Sequence, residues 1–326
     1  MSDRRRRRGR PAPAPRARWR RRDAERKDNM DNVIERAEWL AKRREYITAS
    51  DVAAILGHSP YATALDVYAR KKTADELADS DAMLLGRCLE DGIARVYAAK
   101  TDREVDDLGG TLLTVHPDIP WLAATLDRVT WRGDEPQGTP GSPLELKHAG
   151  AYKLTEWEDG APLWVQIQLQ IQIACRGSAW GAYCGVIGGS HIRLGDLDRA
   201  DDFLESTIPI LEEFRQRLAN DDPPPVTEPR HLDAVRRLYP LDMGTTVDLD
   251  ADAEEIANEW ERAKAAIKAE EAARDLAQAK LLAALGSNTF GMLPDGTLLT
   301  AKTTARAGYT RVVEPSTYRT LRRKKG

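Results

Sequence analysis

The chain has 326 residues, 41% hydrophobic, 31% charged and 6% aromatic, enough for one large or two small domains around a buried core, which excludes wholesale disorder. No apolar run approaches the roughly 18 residues that span a bilayer, and the arginine-packed N-terminus lacks the apolar segment of a secretory signal, so a soluble cytoplasmic protein is expected. The formal net charge of −3 hides an asymmetry, because residues 1–30 carry 13 Lys/Arg against 4 Asp/Glu and leave a net −12 for residues 31–326.

In chain order, the tail with Arg4 to Arg8 and Arg20 to Arg22 has nothing apolar to bury and is expected to be disordered, holding phosphates by charge alone. Met30, just before the first amphipathic pattern, is an alternative natural start. Residues 31–45 read as helix. Ser50-Asp51 reads as the N-cap of an apolar run that Gly57 stops, and Thr63 with Asp66 opens the next helix as a capping box. A longer helix is predicted from about Asp81 to Lys100, with Leu85, Leu89, Ile93 and Val96 as its buried stripe and Glu90 beside it. Strands are predicted at Thr111–Val115, Trp121–Trp131 and Leu144–His148.

Residues 165–173 alternate strictly, which by periodicity alone is a strand. Trp180–Ile187 and His191–Leu194 read as a strand pair turned by Gly188-Gly189, Ala200–Leu218 as a helix, and Asp221 to Pro225 as a boundary. Beyond it, Asp252 with Glu255 caps a helix running to Leu285-Gly286, roughly 50 Å long. Ile256, Trp260, Ala263 and Ile267 give it a weak coiled-coil seam, and residues 290–326 alternate like a small sheet before the basic end at Arg322–Lys325. The expected organisation is a tail (1–30), a main domain (31–220), a linker (221–249) and a C-terminal extension (250–326).

Asp127 falls in one predicted strand and Glu145-x-Lys147 in the next, where alternation puts Glu145 and Lys147 on one face. Two carboxylates and a backbone carbonyl suit a hard cation such as Mg²⁺, and a nearby lysine can orient and help deprotonate water for attack on a phosphodiester. Alone, Glu-x-Lys on a half-exposed strand is most often a solvated face. His148 is turned to the other face and reads as packing or solvent-facing, and Trp121, Trp131, Trp157, Trp164 and Trp180 read as core. Cys88, Cys175 and Cys184 form no Cys-x-x-Cys pair and read as small buried thiols. No phosphate-binding Gly-x-x-x-x-Gly-Lys-Ser/Thr loop is present, so no ATPase motor is expected.

The order of the pieces raises the weight of that constellation. Trp39, Arg43 and Ile47-Thr48-Ala49-Ser50, then Gly86 and Glu90, Asp127, Glu145-Leu146-Lys147, Pro162, Gln168-x-Gln170 and Gly177, over residues 35–220, resemble the YqaJ-like viral recombinase family, the lambda-exonuclease-like branch of the PD-(D/E)XK nucleases. The resemblance implies an α/β (α+β) fold: a restriction-endonuclease-like mixed sheet flanked by helices, here with a long C-terminal helix and a small β extension. It implies Glu90, Asp127, Glu145 and the Leu146 carbonyl around Mg²⁺, with Mn²⁺ able to substitute. Lys147 would hold the nucleophilic water, Gln168 would anchor a helix over 163–176 against its period, and Arg43 and Ser50 would meet a DNA phosphate. Where the family has Ser-Pro-Asp-Gly, this chain has Thr125-Leu126-Asp127-Arg128.

The implied function is Mg²⁺-dependent resection of linear double-stranded DNA in phage or prophage recombination, leaving single strand for an annealing protein, in a bacterial cytoplasm and by analogy as a trimer. The alternatives are a structure-specific or nicking endonuclease on the same fold, and a non-catalytic DNA-binding or assembly protein.

Overall fold

Two threonine–aspartate boxes start the first helices. Thr48 and Asp51 cap α1 (Ala49–Ile55), with the Thr48 N–H donating to Asp51 Oδ2 at 3.0 Å. The cap is therefore Thr48, not Ser50-Asp51, because Asp51 serves as the third helical residue that reaches back and Ser50 lies inside the first turn. Thr63 and Asp66 do the same for α2 (Ala64–Thr73), at 2.9 Å and 3.2 Å. The computed structural model describes residues 39, 41–73, 80–108, 113–133, 135–136, 138–308, 310 and 317–324. The expectations for the tail 1–30, for residues 31–38, for Thr111 and for Lys325 fall outside them.

The chain divides into Met1–Leu238 and Tyr239–Gly326. In the first unit, β1 (Ile47–Thr48), β4 (Leu122–Thr125) and β3 (Leu113–Val115) form a sheet in the order β1-β4-β3. A second, mixed sheet runs β2 (Val105–Asp106), β5 (Arg128–Thr130), β6 (Ser142–Ala149), β7 (Trp180–Ile187) and β8 (His191–Asp198), with only the central β6–β7 pair parallel. The single strand predicted over Trp121–Trp131 is thus two, which belong to different sheets. Asp127 lies not in a strand but at the break, where Leu126, 3% exposed, carries the chain from one sheet to the other.

Helix α3 (Asp81–Thr101) and α4 (Leu163–Arg176) take opposite faces of the larger sheet. Leu144, Leu146, Ala182 and Cys184 meet Ile93, Ala94, Tyr97 and Ala98 of α3, so the intervening Glu145 and Lys147 face α4. Only the second half of α3 is covered. Leu85 and Leu89, predicted as part of its stripe, stay exposed and lie outside the cluster that Ile93, Ala94, Tyr97 and Ala98 make with the sheet.

The alternating segment is the helix α4, buried on nearly all sides. Ile167, Ile171, Ala174 and Cys175 pack toward α1 and β4, while Val165, Leu169 and Ile173 pack with Trp157, Tyr183 and Ile187. Its glutamines are buried or half-buried and bonded, so the period of two marks no wet face: Gln170 Nε2 donates to the Asp198 carbonyl at 2.8 Å and its Oε1 accepts from the Ala200 N–H at 2.9 Å. Gly177 ends the helix at φ +70°, a left-handed cap.

Gly185 of β7 leaves room for Trp157, which is 1% exposed. A Cβ there would meet Trp157 Cζ3 at 2.6 Å and Cη2 at 2.8 Å. Gly185→Ala is therefore expected to cost about 1–3 kcal/mol in urea unfolding, whereas Gly92→Ala on α3, with nothing within 4 Å, should gain about 0.5–1 kcal/mol.

The first unit continues through α5 (Asp201–Ala219) and α6 (Leu232–Leu238). The predicted linker 221–249 is shortened because Ala234 packs on Leu65 and Ala69, and Arg237 pairs with Asp66 at 2.6 Å. In the second unit, α7 (Ala251–Leu285) is capped by Asp250 rather than Asp252, with Oδ1 accepting from the Ala253 N–H at 2.9 Å. Among the described residues the predicted sheet over 290–326 reduces to one hairpin, β9 (Phe290–Met292) with β10 (Leu298–Thr300). No described helix is long and apolar enough to cross a membrane.

Candidate active site

Glu145 is fully buried on β6, and both its oxygens are held. Oε1 contacts the Lys147 ammonium and accepts from Gln168 Nε2 at 2.8 Å, while Oε2 accepts from Gln172 Nε2 at 2.5 Å. A carboxylate oxygen has two lone pairs, so Oε2 keeps one for a further partner. Asp127 is brought alongside by the backbone: the Leu146 N–H donates to its Oδ2 at 2.8 Å. Desolvation first, and the neighbouring Glu145 charge second, push the Asp127 carboxyl up to about 8. Burial alone would pull Lys147 down, but Glu145 and Asp127 outweigh it and hold the ammonium above its ordinary value.

Glu90 arrives from α3, the layer behind the sheet. It is close enough for Asp127, Glu145 and Lys147 to feel its charge, yet its carboxylate sits 3.8 Å from the Arg128 guanidinium. Arg128, 5% exposed, also pairs with Asp91 at 2.6 Å and lies 3.7 Å from Asp107. Among the described residues no three His, Cys, Asp or Glu side chains gather around one point tightly enough to hold a metal. Of the three carboxylates expected from the resemblance, Asp127 and Glu145 adjoin through β6, while Glu90 lies beside Arg128, the residue that stands where the resemblance expects glycine.

The remaining donors still fit a hard cation. All are oxygens, from Asp127, Glu145 and the Leu146 carbonyl, the donor type a hard cation takes.

Arg43 and Ser50 also meet. Arg43 Nη2 contacts Ser50 Oγ and lies 3.5 Å from Thr48 Oγ1, with the guanidinium carbon 5.1 Å from the Trp39 ring centre. Burial lowers this guanidinium from its ordinary value, Asp51 opposes that, and the charges of Asp127 and Glu145 also reach it.

Residues 38–179 match the model of the YqaJ-like viral recombinase domain. That stretch of the chain is similar to this domain. The match is shorter than the 35–220 read from the motifs and includes every residue of the Asp127–Glu145–Lys147 cluster. The uncharacterized protein YqaJ of Bacillus subtilis (strain 168) is 28% identical over 189 residues, 56% of this chain and 56% of that one, so the match spans about half the length of this relative. An alkaline exonuclease, LHK-Exo from Laribacter hongkongensis, superposes with a TM-score of 0.46 at 22% identity over 57% of this chain and 93% of its own. Its complex with dAMP gives 0.44 at 20% identity over 61% and 98%.

Two residues at this site are not signalled by the motifs. Gln172, 1% exposed, also donates to the Thr125 carbonyl at 3.2 Å, and its place one helical turn after Gln168 was the available signal. Arg128 had none beyond its departure from the family pattern. Cys88 is exposed, against expectation, whereas Cys175 and Cys184 are buried and burial pushes their thiols up to about 12 and about 11. Trp157 and Trp180 are core, but Trp164 is only partly covered and lies under Lys147.

Proposed function

We propose that this chain is a divalent-metal-dependent deoxyribonuclease that resects one strand of linear duplex DNA and leaves single strand for an annealing partner. The carrying observation is the junction of Glu145, Lys147 and Asp127 inside a YqaJ-like domain. Asp127, Glu145 and the Leu146 carbonyl would hold Mg²⁺, or Mn²⁺ in its place, with Glu90 available once released from Arg128. Mg²⁺ bound there supplies Lewis acidity toward a phosphate oxygen and toward water.

The side chains then divide the work. Lys147, paired with Glu145, would orient the attacking water and offset phosphate charge as a donor. Gln168 and Gln172 fix the Glu145 carboxylate so that it does not reorganise when substrate enters. Arg43 with Ser50 offers a guanidinium and a hydroxyl to a terminal 5′-phosphate, which carries more charge than an internal diester.

Cleavage of 5′-phosphorylated linear, 5′-hydroxyl linear, nicked-circular and closed-circular DNA in Mg²⁺, Mn²⁺ and EDTA tests this. Linear duplex alone is expected to be degraded, with 5′-phosphate ends initiating faster and EDTA stopping the reaction. Arg43→Ala should erase the end preference, a loss of roughly tenfold in initiation for one charge-assisted contact, without changing metal affinity. Cutting of closed circles would support the endonuclease alternative, and binding without cutting would support the non-catalytic one.

A further inference from the structure

Two tyrosines stand in solvent beside the site, and their rings are held in place. Tyr61 is 66% exposed and Tyr152 84% exposed. Tyr61 meets Trp164 edge-on, ring centres 5.4 Å apart at 90°, and Trp164 in turn lies 5.4 Å beneath the Lys147 ammonium. Lys153 Nζ sits 5.7 Å from the Tyr61 ring and 5.9 Å from the Tyr152 ring, bridging the two.

The backbone fixes both rings. Ser59 Oγ accepts from the N–H groups of Tyr61 and Ala62 at 3.2 Å and 3.3 Å, which sets the turn that presents Tyr61. Tyr152 lies against Gly150, where a Cβ would meet its Cε1 at 2.5 Å. Lys153 is also paired with Glu156, which helps to hold its ammonium between the rings. A scattered exposed aromatic calls for no explanation, but these rings run in a connected line from the Glu145–Lys147 pair into solvent.

We infer that Tyr61 and Tyr152, braced by Lys153 and Trp164, form a stacking platform for unpaired nucleobases of the DNA strand whose phosphate lies at Glu145 and Lys147. The inference rests on the nuclease reading and deepens it, since it names the form of DNA end the site takes. An aromatic face is available only to a base that has left the duplex stack, and stacking tolerates any base because every base has a π-face.

The test uses the full chain in Ca²⁺ with two duplexes, one blunt and fully paired, one with two unpaired terminal nucleotides that include 2-aminopurine. Wild type is expected to quench the 2-aminopurine and to bind the unpaired end more tightly. Tyr61→Ala and Tyr152→Ala should each lose the quench and about tenfold of that affinity, with blunt-end affinity and melting temperature unchanged. Tyr61→Phe and Tyr152→Phe should behave as wild type, because the ring and not the hydroxyl does the stacking. Alanine variants that keep both the quench and the preference would overturn the platform and leave the rings to a protein contact. Equal loss on both duplexes, or phenylalanine variants that fail like alanine, would overturn it as well. Absence of any duplex binding by wild type would instead remove the nuclease reading itself.

Discussion

Glu145→Gln is expected to lower DNA cleavage at least a thousandfold while duplex affinity in Ca²⁺ changes little. The substitution removes the one fully buried carboxylate of the pair, and with it the charge that both a cation and Lys147 rely on. It carries a second cost. Oε1 and Oε2 both accept from donors, so an amide nitrogen at position 145 faces either Gln168 and Lys147 or Gln172. A mismatched buried donor of this kind costs about 1–3 kcal/mol, and a lower melting temperature should accompany the lost activity. Cleavage within tenfold of wild type would contradict the assignment of Glu145.

Asp51→Asn should be the most destabilising single change near the cleft. Asp51, 7% exposed, accepts from Arg70 at 3.2 Å, pairs with Lys71 at 3.0 Å and closes the Thr48 cap. Removing one partner of a buried ion pair leaves the others uncompensated and typically costs about 3–5 kcal/mol. Burial alone would raise the Asp51 carboxyl, but Lys71, Arg70 and Arg43 outweigh it and hold it well below the usual carboxylate range. The sign follows: stability from this group is present above the unfolded value of about 4 and fades as pH falls below it. Denaturant titrations at pH 7 and pH 3 should therefore show the gap between wild type and variant narrowing in acid. A gap that is constant with pH would mean that the charge is not the cause.

The sequence was most legible where the signal is local. Thr63 with Asp66 bonds as a capping box, Gly188-Gly189 turns β7 into β8, and α5 lies within one residue of its expected ends. Glu145 and Lys147 share a face because a strand alternates whatever surrounds it. What misled were patterns whose meaning depends on partners far along the chain. The Val165–Ile173 alternation means in-and-out only if one face is wet, and here Asp198, Ala200 and Glu145 satisfy the glutamines inside the protein. The motif order outweighed the period in that segment. Leu85 and Leu89 match the buried stripe in spacing but find no partner in the core cluster beneath the helix, and Asp127 sits at a change of sheet that no local pattern announces. Arg128 acts on Glu90 from another element, a pairing visible only once both are placed.

Most protein helices draw their stability from a buried face, but none of the 35 residues of α7 is buried, and thirteen are alanine. Its order rests on intrinsic propensity, on the Asp250 cap and on short pairings such as Lys264 with Glu261 at 3.0 Å. Such a rod loosens by fraying from its ends over a broad span of temperature, with no sharp step of its own. Far-ultraviolet ellipticity of this protein is then a sum of a sloping helix–coil signal and a cooperative transition of the cored unit. A midpoint fitted to that sum belongs to neither process, so the effects of Asp51 and Gly185 variants are properly read from a tertiary probe of the cored unit.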